Sequence, residues 1–418
     1  MRNGVWGDEP QEDGSDVVCV RAADFDRRRL RVKVDGFPMR HVEGRTLKSQ
    51  RLKPGDIVLE KSGGGERQPV GAAVLFDLDV VAVCSNFCAR LQPAKSVESR
   101  FLSYVLAAAY YLGKSERCIK QTTGIQNLDT DQFFATPWSY PVQDEQRRIA
   151  DFLDAETARI DALADVQQRV LDSLSERRAG AVHAGVTGAS SAAQRPTALA
   201  WATTLPFDWR EGKLSLVARM GSGHTPSRSR EDWWSGCTIP WITTGEVSQI
   251  RDDRAEEIVE TREKISEVGL ANSSAELCAK GTVVLCRTAS AGYSAVMGTA
   301  MATSQDFVSW QCGPKLDPFY LLWCLRAMRS DLLGRLAMGS THKTIYVPDL
   351  QMLRIPLPPV CDQREIVENI RGSNHRIDAA VDVVRRQIEL IGERRQALIT
   401  AAVTGQFDVT TGRGADLS

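Results

Sequence analysis

Apolar residues recur at alternating spacings of four and three in two long stretches of this chain. The first series, interrupted by the polar residues Glu156 and Gln167, is Ile149, Leu153, Ile160, Leu163, Val170 and Leu174. The second series is Ile366, Ile370, Ile377, Val381, Val384, Ile388 and Ile391. This spacing is typical of a coiled-coil seam. We therefore predict two long helices, each of about 40 residues and roughly 60 Å.

The two predicted helices are copies of one sequence. Identical residues recur 217 positions later, without a gap, at Gln146, Arg147, Ile149, Arg159, Ile160, Asp161, Asp165, Glu176, Arg177, Arg178, Val186, Thr187 and Gly188. Such a rod cannot bury its apolar stripe alone, and the simplest partner is the other copy. Because each rod follows a similar globular segment, we predict an antiparallel pair within one chain. A dimerisation coiled coil is the alternative.

The segments before the rods also share an order of elements. Each shows a turn, a strand, a Gly/Ser-rich loop, further strands, an apolar helix and a polar loop. The predicted fold class is α+β: two mixed α/β globules separated by two long antiparallel coiled-coil helices, with pseudo-two-fold symmetry. The predicted organisation is a first domain at 1–142, a central helix at 143–188, a linker at 189–200, a second domain at 201–359, a C-terminal helix at 360–405 and a tail at 406–418.

The first domain has no counterpart of residues 205–219. If Val17 aligns with Ile239, then Met1 aligns with Gly223. We therefore expect the opening strand of the first domain to be missing. Three explanations stay open: a misassigned start codon, completion of the domain by the tail around Phe407, or an impaired subunit.

Composition narrows the class of protein. The net charge is −1, which argues mildly against nucleic-acid binding unless basic residues are locally concentrated. Ten scattered cysteines without metal-site spacing are typical of free thiols in a reducing compartment, so a cytoplasmic location is expected. No apolar run reaches membrane-spanning length, and the N-terminal residues lack the apolar core of a signal peptide.

The sequence lacks the common catalytic motifs. It contains no Asn/Asp-Pro-Pro-Tyr/Phe methyltransferase turn, no Walker loop, no HExxH pair and no Gly-x-Ser-x-Gly elbow. The Gly63-Gly64-Gly65 run lacks the lysine and serine of a phosphate-binding loop. We therefore predict no catalytic residue, no metal site and no cofactor in this chain.

Several motifs together resemble those of a known family. They are Leu205-Pro206-Phe207-Asp208-Trp209, Gly223-His224-Thr225-Pro226, the Pro-Leu-Pro-Pro run at 356–359, Asp362-Gln363-Arg364-Glu365-Ile366, Arg376-Ile377-Asp378 and the end of the second rod from Glu393 to Gly405. In this arrangement the chain resembles the specificity subunits of Type I restriction-modification systems over nearly its whole length.

The resemblance implies a division of labour. Two target-recognition domains, held apart by the helical spacer, would each read one half of a bipartite, asymmetric site in double-stranded DNA. Two methyltransferase subunits would bind the helices, and restriction subunits with helicase and nuclease activity would join the complex. Those partners would use S-adenosylmethionine, ATP and Mg. The chain itself would determine which DNA sequence is recognised and would catalyse no reaction.

Candidate contact residues follow from this reading. Base edges and phosphates are read by basic, amide and hydroxyl side chains on loops. For DNA we select Lys61, Ser62, Gly63, Arg67, Lys120, Gln121 and Asn127 in the first domain, and His224, Thr225, Arg287, Thr288, Ser290, Ser340, His342 and Lys343 in the second. For the partner subunits we select the repeated helix residues Gln146, Arg147, Arg159, Asp161, Gln363, Arg364, Arg376 and Asp378.

Two other functions remain as alternatives. A coiled-coil scaffold that binds only proteins would show no sequence-dependent DNA binding at any salt concentration. A stand-alone nuclease would cleave DNA with a metal ion and without partners.

Overall fold

A computed structural model of the protein describes residues 1–121, 124–138, 140–339 and 343–411. The chain forms two compact units. Unit 1 contains Met1–Arg169 together with the stretch that begins at Arg385, and unit 2 contains Val170–Val384. Each unit therefore combines a globular domain with part of each long helix.

Two long helices form where the repeated pattern predicts them. The central helix spans Gln143–Thr187, and the C-terminal helix spans Val360–Val403. Each begins within two residues of a proline, Pro141 or Pro359, which lies outside the helix. Each is followed by a glycine in the left-handed conformation, with φ of 62° at Gly188 and 74° at Gly405. This is the backbone geometry that commonly ends a helix.

The two helices pack against each other in unit 1. Asp161 of the central helix pairs with Arg395 of the C-terminal helix, with 3.2 Å between Oδ1 and Nε. Leu153, earlier in the central helix, belongs to the same apolar cluster as Ala402, later in the C-terminal helix. An earlier position on one helix thus meets a later position on the other, which is antiparallel packing.

Unit 2 has the same arrangement of the other helix parts. Arg178 of the central helix pairs with Asp378 of the C-terminal helix. Further along the central helix, Gly185 lies against Ile370, which is earlier in the C-terminal helix. The predicted antiparallel pairing within one chain is confirmed in each unit.

The interhelical ion pair is reciprocal. Asp161 and Asp378 occupy the same position in the two copies of the repeat, and so do Arg178 and Arg395. Unit 1 takes the aspartate from the central helix and the arginine from the C-terminal helix, whereas unit 2 takes them the other way round. This exchange is the reciprocity of contacts that the repeat predicts.

Each globular domain also holds a helix through an arginine. In unit 1, Arg28 contacts Asp165 at 2.6 Å. In unit 2, Arg254 contacts Asp382, the repeat equivalent of Asp165, also at 2.6 Å. Each arginine also reaches the aspartate one turn earlier in the helix. The repeated aspartates therefore dock the domains onto the helices.

The predicted seam is wrong at two positions of the central helix. Leu163 and Val170 are 49% and 38% exposed. Burial is concentrated nearer the two helix ends, at Leu153 in unit 1 and at Val182 and Val186 in unit 2. At those ends the globular domains supply the apolar side chains that cover the stripe, so a regular spacing of apolar residues overestimates the buried length.

A buried glutamine joins the central helix to the apolar helix Ser99–Tyr111. The backbone N–H of Glu98, the residue before that apolar helix, donates to Oε1 of Gln146 at 2.8 Å. Nε2 of Gln146 donates to the carbonyl oxygens of Ser96 and Pro141 at 3.3 and 2.9 Å. The side-chain amide of Gln146 therefore makes all three of these hydrogen bonds to backbone groups in the interior of unit 1.

Gln363 makes the same three bonds in unit 2, beside the apolar helix Pro318–Ala327. It accepts from the N–H of Asp317 at 2.8 Å, and it donates to the carbonyls of Lys315 and Pro358 at 3.0 and 2.9 Å. Its side chain is fully buried. A polar residue that repeats at the start of both rods is thus an internal clamp.

Replacing Gln363 with alanine is expected to destabilise unit 2 by about 2 kcal/mol, because three buried backbone groups lose their partner. Urea unfolding of the variant measures this change. Arg364→Ala is the control, since that side chain is 72% exposed and its loss is expected to change stability by less than about 0.5 kcal/mol. Equal stability of Gln363→Ala and the wild type would contradict the clamp.

Among its described residues, the globular domain of unit 1 holds three sheets. The six-stranded sheet has the order Arg2–Asn3, Cys88–Leu91, Ile57–Glu60, Ala73–Leu75, Arg31–Val32 and Phe25–Asp26. The two three-stranded sheets are Met39–Arg40, Val17–Val20 and Ala82–Cys84, and Ile119–Gln121, Gln126–Leu128 and Ser62–Gly63. The short helices are Gly44–Gln50, Ser99–Tyr111 and Thr130–Phe134.

Unit 2 repeats this plan with additions. Its five-stranded sheet has the order Ala218–Ser222, Phe307–Cys312, Val283–Cys286, Ser294–Met297 and Glu257–Ile258. The smaller sheets are Lys264–Ile265 with Ile239–Ile242 and Ala302–Thr303, Arg210–Lys213 with Arg354–Leu357, Gln194–Pro196 with Thr204–Pro206, and Ala337–Met338 with Thr344–Ile345. The short helices are Val247–Ile250, Glu267–Ala271, Pro318–Ala327, Arg329–Asp331, Leu332–Leu336 and Val347–Gln351.

The opening strand of the first domain is shortened, so the prediction that it is missing was wrong. Arg2–Asn3 pairs antiparallel with Cys88–Leu91, as Ala218–Ser222 pairs with Phe307–Cys312 in unit 2. The loop that follows this strand is longer in unit 2 than in unit 1. The alignment of Val17 with Ile239 spans these two loops of unequal length. It therefore matched Met1 to a residue that lies too late in the second repeat.

The segment predicted as a linker is partly structured. Gln194–Pro196 pairs with Thr204–Pro206, and Leu199 between them is 5% exposed. Its small and polar composition resembles that of a linker, but strand pairing orders it. In the tail, Phe407 stacks on Phe152 of unit 1 with 5.3 Å between ring centroids. The tail therefore contacts the central helix within unit 1, and the three explanations for the short first domain stay open.

Candidate functional site

The strand Ile57–Glu60 leads Lys61 into a fixed backbone frame in unit 1. The Lys61 N–H donates to the carbonyl of Phe87 at 3.0 Å, and its own carbonyl accepts from the N–H of Leu128 at 2.8 Å. Lys61 therefore joins the end of the large sheet to the three-stranded sheet that contains Gln126–Leu128.

Arg287 occupies the same frame in unit 2. Its N–H donates to the carbonyl of Asp306 at 2.7 Å, and its carbonyl accepts from the N–H of Ile345 at 2.8 Å. Lys61 and Arg287 are thus structural equivalents. We call the two frames corner 1 (residues 4–6, 60–63, 85–88 and 126–128) and corner 2 (residues 223–225, 286–288, 304–307 and 343–345).

A glycine makes each corner possible. A Cβ atom on Gly4 would lie 2.1 Å from the carbonyl oxygen of Ser85, and one on Gly223 would lie 2.2 Å from that of Ser304. Both distances are far below any allowed contact, so only glycine fits. The N–H of Gly4 donates to Cys88, and that of Gly223 donates to the equivalent Phe307. Backbone passes over backbone at the same place in both units.

Corner 1 contains four of the seven residues predicted to contact DNA in the first domain: Lys61, Ser62, Gly63 and Asn127. Lys120 and Gln121 lie beside it, on the strand that pairs with Gln126–Leu128 in the three-stranded sheet. The Ser62 hydroxyl donates to Oδ1 of Asn127 at 2.7 Å. Lys120 is 71% exposed and pairs with Asp129 at 2.6 Å.

Arg67 lies apart from this sheet. It is exposed in the turn that the Gly65–Gln68 bridge closes. Its place on a loop agrees with the sequence analysis, but none of the described contacts joins it to corner 1.

Corner 2 gathers the predicted residues of the second domain through two neighbours. The Thr225 hydroxyl bonds to Oε1 of Gln305, and Nε of Arg287 donates to the Gln305 carbonyl at 3.0 Å. The Thr288 hydroxyl bonds to Oδ1 of Asp306. Residues from three separate stretches of sequence therefore form one polar network.

The other predicted residues of unit 2 lie around this network. His224 is exposed, and its backbone N–H donates to the Thr303 carbonyl at 2.9 Å. Lys343 precedes Thr344, which bridges to Thr288. The Ser290 N–H donates to the Thr288 carbonyl at 2.6 Å in the loop beyond the strand. Ser340 and His342 lie outside the described residues.

The residues that complete both corners were not among those predicted from the sequence. They are Trp6, Asn86 and Phe87 in unit 1 and Gln305 and Asp306 in unit 2. Each pair of neighbours follows a strand in a parallel pair: Ala82–Cys84 beside Val17–Val20 in unit 1, and Ala302–Thr303 beside Ile239–Ile242 in unit 2. The signal that could have found them is the spacing between Gly4 and Gly223, because the same spacing relates Asn86 to Gln305 and Phe87 to Asp306.

A cavity of about 540 Å³ opens at corner 1. Trp6, Phe87, Asn86 and Glu60 are among the residues that line it. Trp6 is 37% exposed and Phe87 is 46% exposed. Burial raises the pKa of the Glu60 carboxyl, and Arg27, 2.6 Å away, opposes that rise. The lining of the cavity thus combines two partly exposed aromatic rings with a carboxyl group that is paired to Arg27.

The predicted partner-contacting residues divide into two groups. Gln146 and Gln363 are buried, and Asp161 and Asp378 take part in the interhelical ion pairs, so these four residues hold the fold together. Burial raises the pKa of Asp161, whereas Arg395 and Arg28 lower it. The remaining four are exposed on the helices: Arg147, Arg159, Arg364 and Arg376.

No metal cluster is evident in the part of the chain that the structure describes. Within those residues, no three side chains of His, Cys, Asp or Glu are placed to hold a metal ion. All ten cysteines are free, and six are buried. Burial raises the pKa of Cys88 to about 12, which keeps that thiol protonated at neutral pH.

Among the described residues, no helix is both long enough and apolar enough to cross a membrane.

The duplicated units, with equivalent corners on a common backbone frame, define an internally repeated protein. The family model "Type I restriction modification DNA specificity domain" matches residues 45–171 and 206–372. These two matches cover more than half of the chain, one in each repeat. The chain belongs to this family.

Individual relatives are distant. The chain is 28% identical over 167 residues to the Type I restriction enzyme MjaIX specificity subunit of Methanocaldococcus jannaschii, covering 39% of this chain and 37% of that protein. It is 22% identical over 188 residues to the EcoR124I/EcoR124II specificity subunit of Escherichia coli, covering 44% and 45%. The chain thus spans less than half the length of these curated relatives.

One solved structure has the same fold. A chain from a study of complex assembly and conformational transition in the type I R-M system matches with a TM-score of 0.66. The match covers 97% of this chain and 95% of that one, at 18% identity. The predicted fold class is confirmed by this likeness and by the two long helices with their paired domains.

Proposed function

We propose that this chain is the DNA-reading subunit of a Type I restriction-modification complex, and that each unit reads one half of a bipartite, asymmetric site. The observation that carries the proposal is the pair of equivalent corners, in which Lys61 and Arg287 occupy one frame while their neighbours differ. A common frame with different side chains is what two unlike half-sites require. Membership of the specificity family supports the same role.

The chemistry of the corners suits base reading. Sequence is read by donors, acceptors and apolar groups that meet base edges in the grooves of DNA. Corner 2 presents the side chains of Arg287, Gln305 and His224, and corner 1 presents those of Lys61, Asn86 and Asn127. Both corners lie where strands end in loops, so rigid sheets hold these groups in place. The net charge of −1 is compatible with this role, because DNA contact depends on the basic side chains at the corners and not on the charge of the whole chain.

The exposed arginines of the helices suit protein partners. Arg147 and Arg364 are repeat equivalents, and so are Arg159 and Arg376. A surface that occurs twice can bind two copies of one protein, so we propose two methyltransferase subunits there. Restriction subunits would join them. S-adenosylmethionine, ATP and Mg would be bound by those partners, and the chain itself would be non-catalytic. The cytoplasm is the proposed location, since buried free thiols suit a reducing compartment.

The test is the methylation pattern of the genome. Deleting the gene is expected to abolish methylation at one bipartite motif, and returning the gene is expected to restore it. Single-molecule sequencing of modified bases measures both. Unchanged methylation after deletion, with the partner genes intact, would refute the proposal. The purified chain with methyltransferase subunits should also shift DNA in a sequence-dependent way; a complex that binds no DNA at low salt would favour a scaffold.

A further inference from the structure

Corners 1 and 2 share their backbone closely enough to be compared position by position. The N–H of Val5 donates to the Cys84 carbonyl at 2.8 Å, and that of His224 donates to the equivalent Thr303 carbonyl at 2.9 Å. The frames of Lys61 and Arg287 correspond in the same way. Each backbone position of one corner therefore has a known counterpart in the other.

Of three equivalent positions in the corners, two differ in chemistry and one is similar. Trp6 corresponds to Thr225, Asn86 to Gln305 and Phe87 to Asp306. The amide position keeps its type, and its side chain is exposed in both units. The other two positions change from aromatic in corner 1 to polar in corner 2.

The polar residues of corner 2 are held by one another. The Asp306 carboxylate accepts from the Thr288 hydroxyl and, at 3.2 Å, from the Ser304 hydroxyl. Thr225 bonds to Gln305. The frame therefore forms with Thr225 and Asp306 in place, and it does not need aromatic side chains at these positions.

The presence of aromatic side chains at Trp6 and Phe87 is therefore not explained by the formation of the backbone frame. Phe87 is 46% exposed at the mouth of the 540 Å³ cavity, and Trp6 lines the same cavity below the guanidinium of Arg40, which lies 4.8 Å from its ring. Leaving a phenyl group in water forgoes the free energy of burying it. Because corner 2 shows that the fold does not demand it, an apolar ligand group is the simplest explanation.

We propose that Phe87, with Trp6 behind it, contacts the 5-methyl group of a thymine in the half-site that unit 1 reads, and that Asn86 bonds to an adenine edge beside it. The thymine methyl is the apolar group that the major groove of DNA presents, and asparagine pairs with the N6 and N7 atoms of adenine. Corner 2 carries Asp306 at the equivalent position and lacks this apolar contact. The inference rests on the proposed function.

The first experiment changes only the DNA. Once the motif is known, each thymine is replaced in turn by uracil, which removes a single methyl group, and binding by the complex with its methyltransferase subunits is measured. For the wild type, one thymine in one half-site is expected to matter by about fourfold, the effect of burying one methylene-sized group. The same replacement is expected to have no effect on the Phe87→Ala variant. Equal binding of all uracil-containing DNAs by the wild type would overturn the inference.

The second experiment exchanges the two chemistries. The double variant Asn86→Gln, Phe87→Asp gives corner 1 the residues of corner 2, and Gln305→Asn, Asp306→Phe is the matched control in unit 2. The first variant is expected to change one half of the methylated motif, and the second is expected to change only the other half. A motif that stays unchanged in both variants would overturn the inference.

The proposed function and the thymine contact are refuted by different results. If the proposed function is wrong, the wild-type gene directs no sequence-specific methylation. If only the thymine contact is wrong, the wild type methylates a defined motif, and neither uracil nor the exchanged residues alter its recognition. The uracil series needs no variant for its main result, so it stays decisive even if a substitution prevents folding.

Discussion

Replacing Arg395 with methionine is expected to destabilise unit 1 by about 3 kcal/mol or more. The Arg395 and Asp161 side chains are only 7% and 11% exposed, and their ion pair joins the two helices at 3.2 Å. Removing one partner leaves a buried carboxylate without its main counter-charge. Arg28, 3.8 Å from Asp161, compensates only in part. Urea or thermal unfolding measures the change.

Two comparisons make this result specific. Because the pKa of Asp161 is already raised by burial, losing Arg395 should raise it further. Protonation then removes the buried charge, so the loss of stability should shrink as the pH is lowered through that pKa. The equivalent Arg178→Met change in unit 2 should cost less, because Asp378 is more exposed and also contacts Arg254 at 3.2 Å. A loss of stability that does not depend on pH would argue against an electrostatic cause.

Replacing Gly223 with alanine is expected to destabilise unit 2 by about 3 kcal/mol and to disrupt corner 2. The added Cβ would lie 2.2 Å from the Ser304 carbonyl oxygen and 2.4 Å from that of Thr303. Neither neighbour is a flexible side-chain end, so the backbone itself must move. That movement breaks the bonds from Gly223 to Phe307 and from His224 to Thr303. Thermal unfolding and methylation of the half-site assigned to unit 2 are the two measurements.

Gly372→Ala is the matched control for this change. Gly372 lies within the C-terminal helix, and a Cβ there would meet nothing within 4 Å. Alanine in a helix interior is favoured over glycine by about 0.5–1 kcal/mol, so this variant should be slightly more stable than the wild type. A Gly223→Ala protein as stable as the wild type would contradict the close approach of the two backbone segments.

The helices could be predicted from sequence because their repeat has no gaps. A helix cannot accept an insertion without turning its apolar stripe away from its partner, so pairs such as Asp161 and Asp378 keep one constant spacing along both rods. The loops of the domains are free of that constraint. The spacing from Phe87 to its equivalent Asp306 is shorter than the spacing from Lys61 to its equivalent Arg287. No single offset aligns the two corners: one spacing relates Gly4, Asn86 and Phe87 to their equivalents, and the backbone hydrogen bonds are needed to add Lys61 and Arg287.

The polarity of a side chain does not by itself predict whether that side chain is buried, as one polar and one apolar residue show. Gln146 is polar and repeated, which favours a partner surface, but two carbonyls and an N–H surround it in the interior. Phe87 is apolar, which favours the core, although it stands exposed at a cavity. The environment of a side chain decides its role, and that environment is built from segments distant in the sequence.

Each unit borrows a helical segment from the other repeat. Ile149 and Leu153 are covered by Ile399 and Val403, which belong to the other rod, near the opposite end of the chain. Separating the repeats at Gly188 would therefore yield two fragments that each lack a wall of their interior. The boundary between the sequence repeats therefore does not coincide with the boundary between the compact units. We expect an isolated half of the chain to bury its interior only after it associates with a second half.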